Sequence, residues 1–98
     1  MVYKVGQKKA VQPYNLVVFG GNGDLAFRKI YPALYNRFVN EKLKEDFTIY
    51  SIDRTPIELE VFFDKLKQSL LKHTLDTFED SSYKLFFKNF QVICAPDN

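Results

Sequence analysis

Three glycines follow directly on a short apolar run near the start of the chain, and the stretch has the spacing of a phosphate-binding turn. The apolar run spans Leu16 to Phe19, the glycines lie within Gly20 to Gly23, and an apolar-periodic segment starts at Leu25. This order predicts a strand, a tight turn and a helix. Such a turn brings backbone N–H groups and the positive end of a helix to one point, where they bind phosphate.

The spacing of this turn is a variant of the dinucleotide-binding fingerprint. Gly20 would form the tight turn, Gly23 would let the backbone approach a phosphate, and Ala26 is small enough for close packing of helix on strand. A Walker A loop is excluded, because no G-K-[ST] follows the second glycine. A structural turn without a ligand is the alternative. We favour a dinucleotide site, because the turn lies between a strand and a helix inside a β-α-β unit.

Asp24 adds a negative charge to the first turn of the helix. A carboxylate there suits the helix dipole, but it would repel a pyrophosphate if it were aimed at the ligand. We therefore expect Asp24 to point away and cap its own helix, which leaves backbone N–H groups for the ligand.

Two residues of opposite charge, Asp53 and Arg54, follow the second predicted strand. An acid at this place accepts from a ribose 2′-hydroxyl and favours NAD, whereas an arginine pairs with a 2′-phosphate and favours NADP. Side chains alternate along a strand, so the two cannot face the ribose in the same way. We favour Arg54 as the ribose-side group, with a surface ion pair as the alternative. Asp53 lies 33 positions after Gly20, farther than the usual ~20, and the long intervening helix accounts for the difference.

The rest of the chain supplies the elements that would position these residues. Leu16 to Phe19 predicts a strand buried on both faces. Helix A starts near Asp24, and Pro32 predicts either a kink or a break near Ile30 with Pro32 in the first turn of a second helix. The further segments are a strand at Phe47 to Ile52, helix B with a Thr55/Glu58 capping box, a helical piece at about Phe78 to Lys88, and a strand at Gln91 to Ala95.

The order of these elements is β-α-β-α-β, which predicts an α/β fold with a parallel sheet. Right-handed crossovers would place the strands in the order 3-2-1, the first half of a doubly wound Rossmann fold. Residues 1–14 lack a sustained period, and we interpret them as a flexible N-terminal arm. Residues 15–98 are then the N-terminal, incomplete portion of a dinucleotide-binding domain.

The composition excludes several classes of function. A chain of 98 residues is one domain at most, and a net charge of +2 is too small to indicate nucleic-acid binding. No apolar run approaches the ~20 residues that cross a bilayer, and no signal-peptide core is present near Met1. We therefore expect a cytoplasmic protein without nucleic-acid or membrane contacts.

The single cysteine and the single histidine do not form a site. Cys94 lies in an apolar run and is typical of a buried small hydrophobe, whereas His73 suits the C-terminal end of helix B. With one residue of each type, we expect neither a disulfide framework nor a metal site.

The run from Gly20 to Tyr35, G-G-N-G-D-L-A-F-R-K-I-Y-P-A-L-Y, resembles the start of glucose-6-phosphate dehydrogenases. That family shows G-x-x-G-D-L-A, two basic positions, an aliphatic residue, Tyr or a neighbouring type, and Pro. The similarity continues through E-D-F-T-I-Y-S-I-D-R-T, where the family commonly has a small residue before Arg. It covers Leu16 to Thr55 well, and beyond that only the placement of the helices.

The resemblance implies an activity and a set of contacts. The family oxidises the C1 hydroxyl of glucose 6-phosphate in the pentose phosphate pathway, passes hydride to NADP and forms 6-phosphogluconolactone. The resemblance also implies that the full-length enzyme is a homo-oligomer. Arg54 would meet the 2′-phosphate, and Lys29 matches a family lysine near the substrate and the nicotinamide, with a solvent-facing helix residue as its alternative. The residues that would line the pyrophosphate are Gly20, Gly21, Asn22, Gly23, Asp24 and Leu25.

Three positions depart from the family pattern. Asn22 stands where the family usually has Ser or Thr, and Phe27 replaces a more usual basic residue. Asp53 precedes Arg54 where a small residue is common, and its charge would weaken a preference for NADP or permit NAD. NADP is therefore the implied coenzyme, with NAD as the alternative.

No catalytic residue is assigned in this chain. The family's His base, its Asp partner and the ligands of the substrate phosphate lie beyond the end of the sequence, and His73 has no matching context. We therefore expect the coenzyme-binding piece of a longer dehydrogenase, inactive alone. The alternative is a stand-alone nucleotide-binding or interaction module. A short-chain reductase is disfavoured, because the chain has no Tyr-x-x-x-Lys.

Overall fold

The computed structural model describes residues 14–40 and 47–95. The predicted arm at residues 1–14 therefore lies outside the described part of the chain, except for Tyr14, which begins the first strand.

Parallel strands and helices alternate along the described residues, and the helical stretch after the glycine turn begins at Asp24. The elements are β1 (Tyr14–Phe19), a π-helical turn (Ala26–Ile30), α1 (Tyr31–Asn40), β2 (Phe47–Asp53), α2 (Leu59–His73), α3 (Asp80–Phe87) and β3 (Phe90–Cys94). β2 is central and pairs in parallel with β1 and with β3. The predicted α/β fold, half of a Rossmann fold with strand order 3-2-1, is confirmed.

The ring of Phe90 in β3 shows where the helices lie. Its centroid is 5.3 Å from that of Tyr31 in α1, 5.8 Å from Phe62 in α2 and 5.3 Å from Phe86 in α3. All three helices therefore pack on the same face of the sheet. These separations lie in the range that aromatic pairs prefer, so the rings both fill the core and fix the angles between elements.

The opposite face of the sheet is exposed within the described residues. Phe19 keeps 78% of its surface exposed, Val17 50% and Ile93 39%, whereas Val18, on the inner face, is buried. The prediction that β1 is buried on both faces is therefore wrong. Right-handed crossovers from β1 to β2 and from β2 to β3 move across the sheet in the same direction, so they place their helices on one side.

The predicted break at Pro32 takes the form of a π-helical turn that ends at Ile30. The N–H of Tyr31 donates to the C=O of Ala26, five residues back. In the same pattern the C=O of Phe27 would need a donor at Pro32, which has no N–H. The hydroxyl of Ser69 in α2 donates to that carbonyl instead, and so binds the widened turn to the next helix.

Candidate functional site

The glycine turn continues the pairing between β1 and β2. The N–H groups of Gly20 and Gly21 both donate to the C=O of Ile52, at 2.8 and 3.1 Å, and the N–H of Gly23 donates to the C=O of Gly20 at 2.9 Å. Gly20 has a φ of +70°, a left-handed conformation that favours glycine. The turn therefore lies beside the last residues of β2.

Gly21 lies on a buried pair of hydroxyl groups. A Cβ at this position would overlap with Ser51 and lie 2.7 Å from the hydroxyl oxygen of Tyr31, so only glycine fits. The Tyr31 oxygen is 2.9 Å from the C=O of Gly21 and 2.8 Å from Ser51 Oγ. A carbonyl only accepts and a phenol has one proton, so Tyr31 donates to Gly21 and Ser51 donates to Tyr31. Burial raises the pKa of Tyr31 to about 12, and the nearby charge of Asp53 adds to the increase.

Asn22 and Asp53 join the turn to the segment that follows β2. The N–H of Asn22 donates to Asp53 Oδ2 at 2.9 Å, and the N–H of Thr55 donates to Asp53 Oδ1 at 3.0 Å. In return, Asn22 Nδ2 donates to the C=O of Thr55 at 2.6 Å. The backbone N–H groups of Thr55 and then Asn22 hold the pKa of Asp53 below its ordinary value, because they stabilise the carboxylate; Arg54 contributes less.

This network explains why the predicted capping box at Thr55 and Glu58 is wrong. Both backbone groups of Thr55 are used in hydrogen bonds around Asp53 and Asn22. Residues 54–58 consequently run as a loop, and α2 begins at Leu59 after an extended Glu58 whose side chain caps no N–H. The capping pattern in the sequence was outweighed by the requirement to hold the turn.

The first helical turn has backbone donors that the protein does not use. The first intrahelical bond runs from the N–H of Phe27 to the C=O of Gly23, at 3.3 Å. The N–H groups of Asp24, Leu25 and Ala26 have no acceptor among the described residues. By contrast, the N–H groups of residues 20–23 are all engaged within the protein. An anion at this end of the helix would be met by the donors of residues 24–26.

The carboxylate of Asp24 turns along its helix. Its Oδ2 lies 3.0 Å from Arg28 Nε, and 83% of the side chain is exposed. The ion pair with Arg28 replaces the predicted helix cap. The Asp24 carboxylate therefore accepts no hydrogen bond from the backbone N–H groups of the first helical turn.

A cavity of about 450 Å³ lies at the carboxyl ends of the strands, next to the turn. Its lining residues are Phe19, Gly20, Ile52, Asp53, Arg54 and Ala95. Ligands of open α/β sheets bind at this edge. Arg54 is exposed, immediately beyond Asp53, whereas the Asp53 carboxylate turns to the glycine turn. The structure therefore brings the glycines, Asn22, Asp53 and Arg54 to one corner.

Lys29 and His73 lie outside this corner network, whereas Cys94 borders it. Lys29 is exposed within the π-helical turn, and His73 is exposed as the last residue of α2. Cys94 is exposed rather than buried, which corrects the prediction, and its Sγ lies 3.5 Å from the C=O of Arg54. Among residues 14–40 and 47–95, no group of three or more acidic, Cys or His side chains could hold a metal ion, and no helix is long and apolar enough to span a membrane.

The residues that pack against the glycine turn and bond to it were not predicted from the sequence. The sequence pattern assigned no site role to Tyr31, Ser51 or Thr55, although the Tyr31 hydroxyl bonds to Gly21. A signal was present for Ser51, a small polar residue inside a strand of large apolar ones. The sequence does not show that the glycine turn lies over the face of β2 that carries Ser51.

A glycine turn at the carboxyl ends of parallel strands, followed by a helix with unused N–H groups, defines the first half of a dinucleotide-binding α/β domain. The family model "Glucose-6-phosphate dehydrogenase, NAD binding domain" matches residues 17–98. The chain belongs to the glucose-6-phosphate dehydrogenase family and lies in its NAD-binding domain.

Relatives of known sequence agree with this membership, and a solved structure has a similar fold. The chain is 41% identical over 58 residues to the glucose-6-phosphate 1-dehydrogenase of Aggregatibacter actinomycetemcomitans, covering 59% of this chain and 12% of the relative. It is 38% identical over 77 residues to that of Treponema pallidum, covering 79% and 15%. The fold is similar to a solved glucose-6-phosphate dehydrogenase in complex with its substrate glucose-6-phosphate, with a TM-score of 0.74, 24% identity, and coverage of 87% of this chain and 17% of that one. The chain spans 12–17% of the length of these proteins.

Proposed function

We propose that this chain is the N-terminal coenzyme-binding segment of a glucose-6-phosphate dehydrogenase, with NADP as its coenzyme. The observation that carries the proposal is the set of unused N–H groups at residues 24–26, presented by a turn that the protein itself holds in place. The unused N–H donors and the close approach that the glycines allow fit a pyrophosphate, and the adjoining cavity fits an adenosine ribose.

The residues of the turn divide the work between them. Gly20 and Gly21 shape the turn, Gly23 leaves room for a phosphate, and the N–H groups of Asp24 and Leu25 donate to it. Asn22 lines the same surface, although its own N–H is engaged with Asp53.

Arg54 would pair with the 2′-phosphate of the coenzyme. Its guanidinium is suited to a phosphate, because a planar set of donors binds two oxygens at once. Arg54 is exposed at the cavity, directly after the strand end where the ribose binds in this class of fold.

In the whole enzyme, the bound coenzyme would accept the hydride from C1 of glucose 6-phosphate, and 6-phosphogluconolactone would form. Lys29 is the residue of this chain that we assign to the substrate and nicotinamide side. The relatives are roughly five times as long as this chain, so the base and the sugar-phosphate ligands belong to other parts of such an enzyme. We propose a cytoplasmic homo-oligomer, and we expect no glucose-6-phosphate-dependent reduction of NADP from these 98 residues alone.

Nucleotide binding to the chain tests the proposal directly. Dissociation constants for adenosine 2′,5′-bisphosphate and for 5′-AMP would be measured by NMR titration, which detects millimolar affinities. We expect the bisphosphate to bind more tightly, and Arg54→Ala to remove that advantage while 5′-AMP binding persists.

Lys72→Ala is the matched control, since it removes a cation from the far end of α2 and should change neither constant. Failure of both nucleotides to bind, or an unchanged bisphosphate advantage in Arg54→Ala, would refute the proposal.

A further inference from the structure

Asp53 accepts backbone N–H groups on both of its carboxylate oxygens, from Asn22 in the turn and from Thr55 after β2. We propose that Asp53 is a positioning and specificity-determining residue: it fixes the glycine turn and sets a permanent negative charge beside the ribose position, so that this chain accepts a free 2′-hydroxyl as well as a 2′-phosphate. This inference rests on the proposed coenzyme function.

The geometry assigns the positioning role. The carboxylate joins the turn to the loop after β2, and the Asn22 side chain donates back to the C=O of Thr55 at 2.6 Å. Three hydrogen bonds thus connect two short segments, each without regular structure of its own. The N–H of Asn22 is consequently unavailable to a ligand, and the phosphate donors are those of residues 24–26.

The charge of Asp53 opposes that of its neighbour Arg54. Two backbone donors stabilise the ionised form and hold the pKa of the carboxyl below its ordinary value of 3.8, so the charge is present at neutral pH. A 2′-phosphate drawn to Arg54 therefore meets a nearby anion, whereas a neutral 2′-hydroxyl does not. Removing that anion should favour the phosphate.

Asn22 adds a second acceptor to this corner. Its Oδ1 is buried and accepts no hydrogen bond from any described residue. The orientation of the amide follows from its partner, because the C=O of Thr55 requires the NH₂ group on that side. A buried acceptor is satisfied by a donor such as a hydroxyl or a water, and a phosphate oxygen supplies none.

The ratio of two dissociation constants tests the specificity role. For the wild-type chain and Asp53→Asn, the constants for 5′-AMP and for adenosine 2′,5′-bisphosphate would be measured by NMR titration. We expect the preference for the bisphosphate to rise roughly tenfold in Asp53→Asn, since one unit charge beside a dianion is removed. A role limited to shaping the turn would weaken both nucleotides equally and leave the ratio unchanged, which would overturn the specificity claim.

Asp76→Asn is the matched control. It removes one exposed carboxylate from the loop after α2. That loop lies away from the glycine turn, since its Thr77 hydroxyl donates to Asn36 in the C-terminal half of α1. Its ratio should equal that of the wild type. If neither nucleotide binds the wild-type chain, the proposed function fails; if both bind and the ratio is the same in Asp53→Asn, this inference fails alone.

The positioning role has an independent readout that needs no variant and no ligand. In the wild-type chain, the amide protons of Asn22 and Thr55 should follow one titration with a midpoint below 3.8, the ordinary aspartate value. Amide chemical shifts that do not change with pH in this range would contradict the hydrogen bonds to Asp53, even if Asp53→Asn failed to fold.

Discussion

Adjacent glycines in the turn are required for different physical reasons. Gly20 has open space where a Cβ would lie, but its φ of +70° is costly for any other residue. Gly21 has no such strain, yet its Cβ position is occupied by Ser51 and Tyr31. The glycine spacing in the sequence predicts the turn, but it does not distinguish these two causes, which depend on what lies beneath.

Gly21→Ala should therefore be the more harmful of the two alanine variants. We expect Gly20→Ala to lower the free energy of unfolding by about 1–2 kcal/mol. Gly21→Ala should lower it by about 3 kcal/mol or more, because rigid neighbours must move. Urea denaturation followed by circular dichroism measures both. Equal losses in the two variants would show that the contact beneath Gly21 is absent.

The buried phenol of Tyr31 makes stability depend on alkaline pH. Its pKa is about 12 when folded and 10.0 when unfolded, so the folded state retains its proton longer. The stabilisation is fully present below pH 10 and is lost as the pH rises through 12. Tyr83, whose pKa burial also raises to about 12, behaves in the same way.

Tyr31→Phe tests this source of stability. At pH 8 the variant should be less stable by about 1–3 kcal/mol, because the C=O of Gly21 loses its buried donor. Between pH 10 and 12 it should lose stability less steeply than the wild type. The control is Tyr50→Phe, on the outer face of the sheet, which should leave the stability at pH 8 unchanged. Urea midpoints from pH 8 to 12 decide the matter; identical slopes for wild type and Tyr31→Phe would contradict the account.

At the scale of elements, the sequence predicted what local pattern and chain order determine. The three strands, the glycine turn and the division of helix A near Pro32 were all predicted, since periodicity and proline act locally. The capping box at Thr55 and the two-sided burial of β1 were wrong, because both depend on partners distant in sequence. Whether Thr55 caps a helix is decided by Asn22 and Asp53, which no local pattern reveals.

The link between the π-helical turn and α2 is a testable feature of this kind. Ser69→Ala removes the side-chain donor to the C=O of Phe27. Pro32, five residues further on, has no N–H to donate to that carbonyl. We expect a loss of about 1–2 kcal/mol in the free energy of unfolding. Gln68→Ala, on an exposed neighbour in the same helix, should cost little. A Ser69→Ala protein as stable as the Gln68→Ala protein would exclude a contribution from this bond.

At the scale of the whole molecule, the sheet carries helices on one face and exposed apolar side chains on the other. Within the described residues, β1 is an edge strand, and its Phe19 and Val17 are both exposed. An open edge beside an apolar face favours pairing between chains. We therefore expect the 98-residue chain to be marginally stable and to self-associate as its concentration rises.

Phe19→Lys should reduce that association. A charge on the exposed face opposes the stacking of two apolar surfaces, so sedimentation velocity should show a shift toward monomer. Leu75→Lys is the matched control, since Leu75 is 71% exposed but lies in the loop after α2. Equal association of the Phe19→Lys and Leu75→Lys proteins would show that the outer face is not the contact.

We expect the unused N–H groups at the start of the helix to bind coenzyme phosphate. The most direct measurement is a titration of the ¹⁵N-labelled chain with NADP, followed by its amide signals. The largest shifts should occur at Asp24, Leu25 and Ala26, with further shifts at Arg54. An absence of shifts at these residues, or larger shifts at the remote cavity around Lys72 and Asp76, would contradict this expectation.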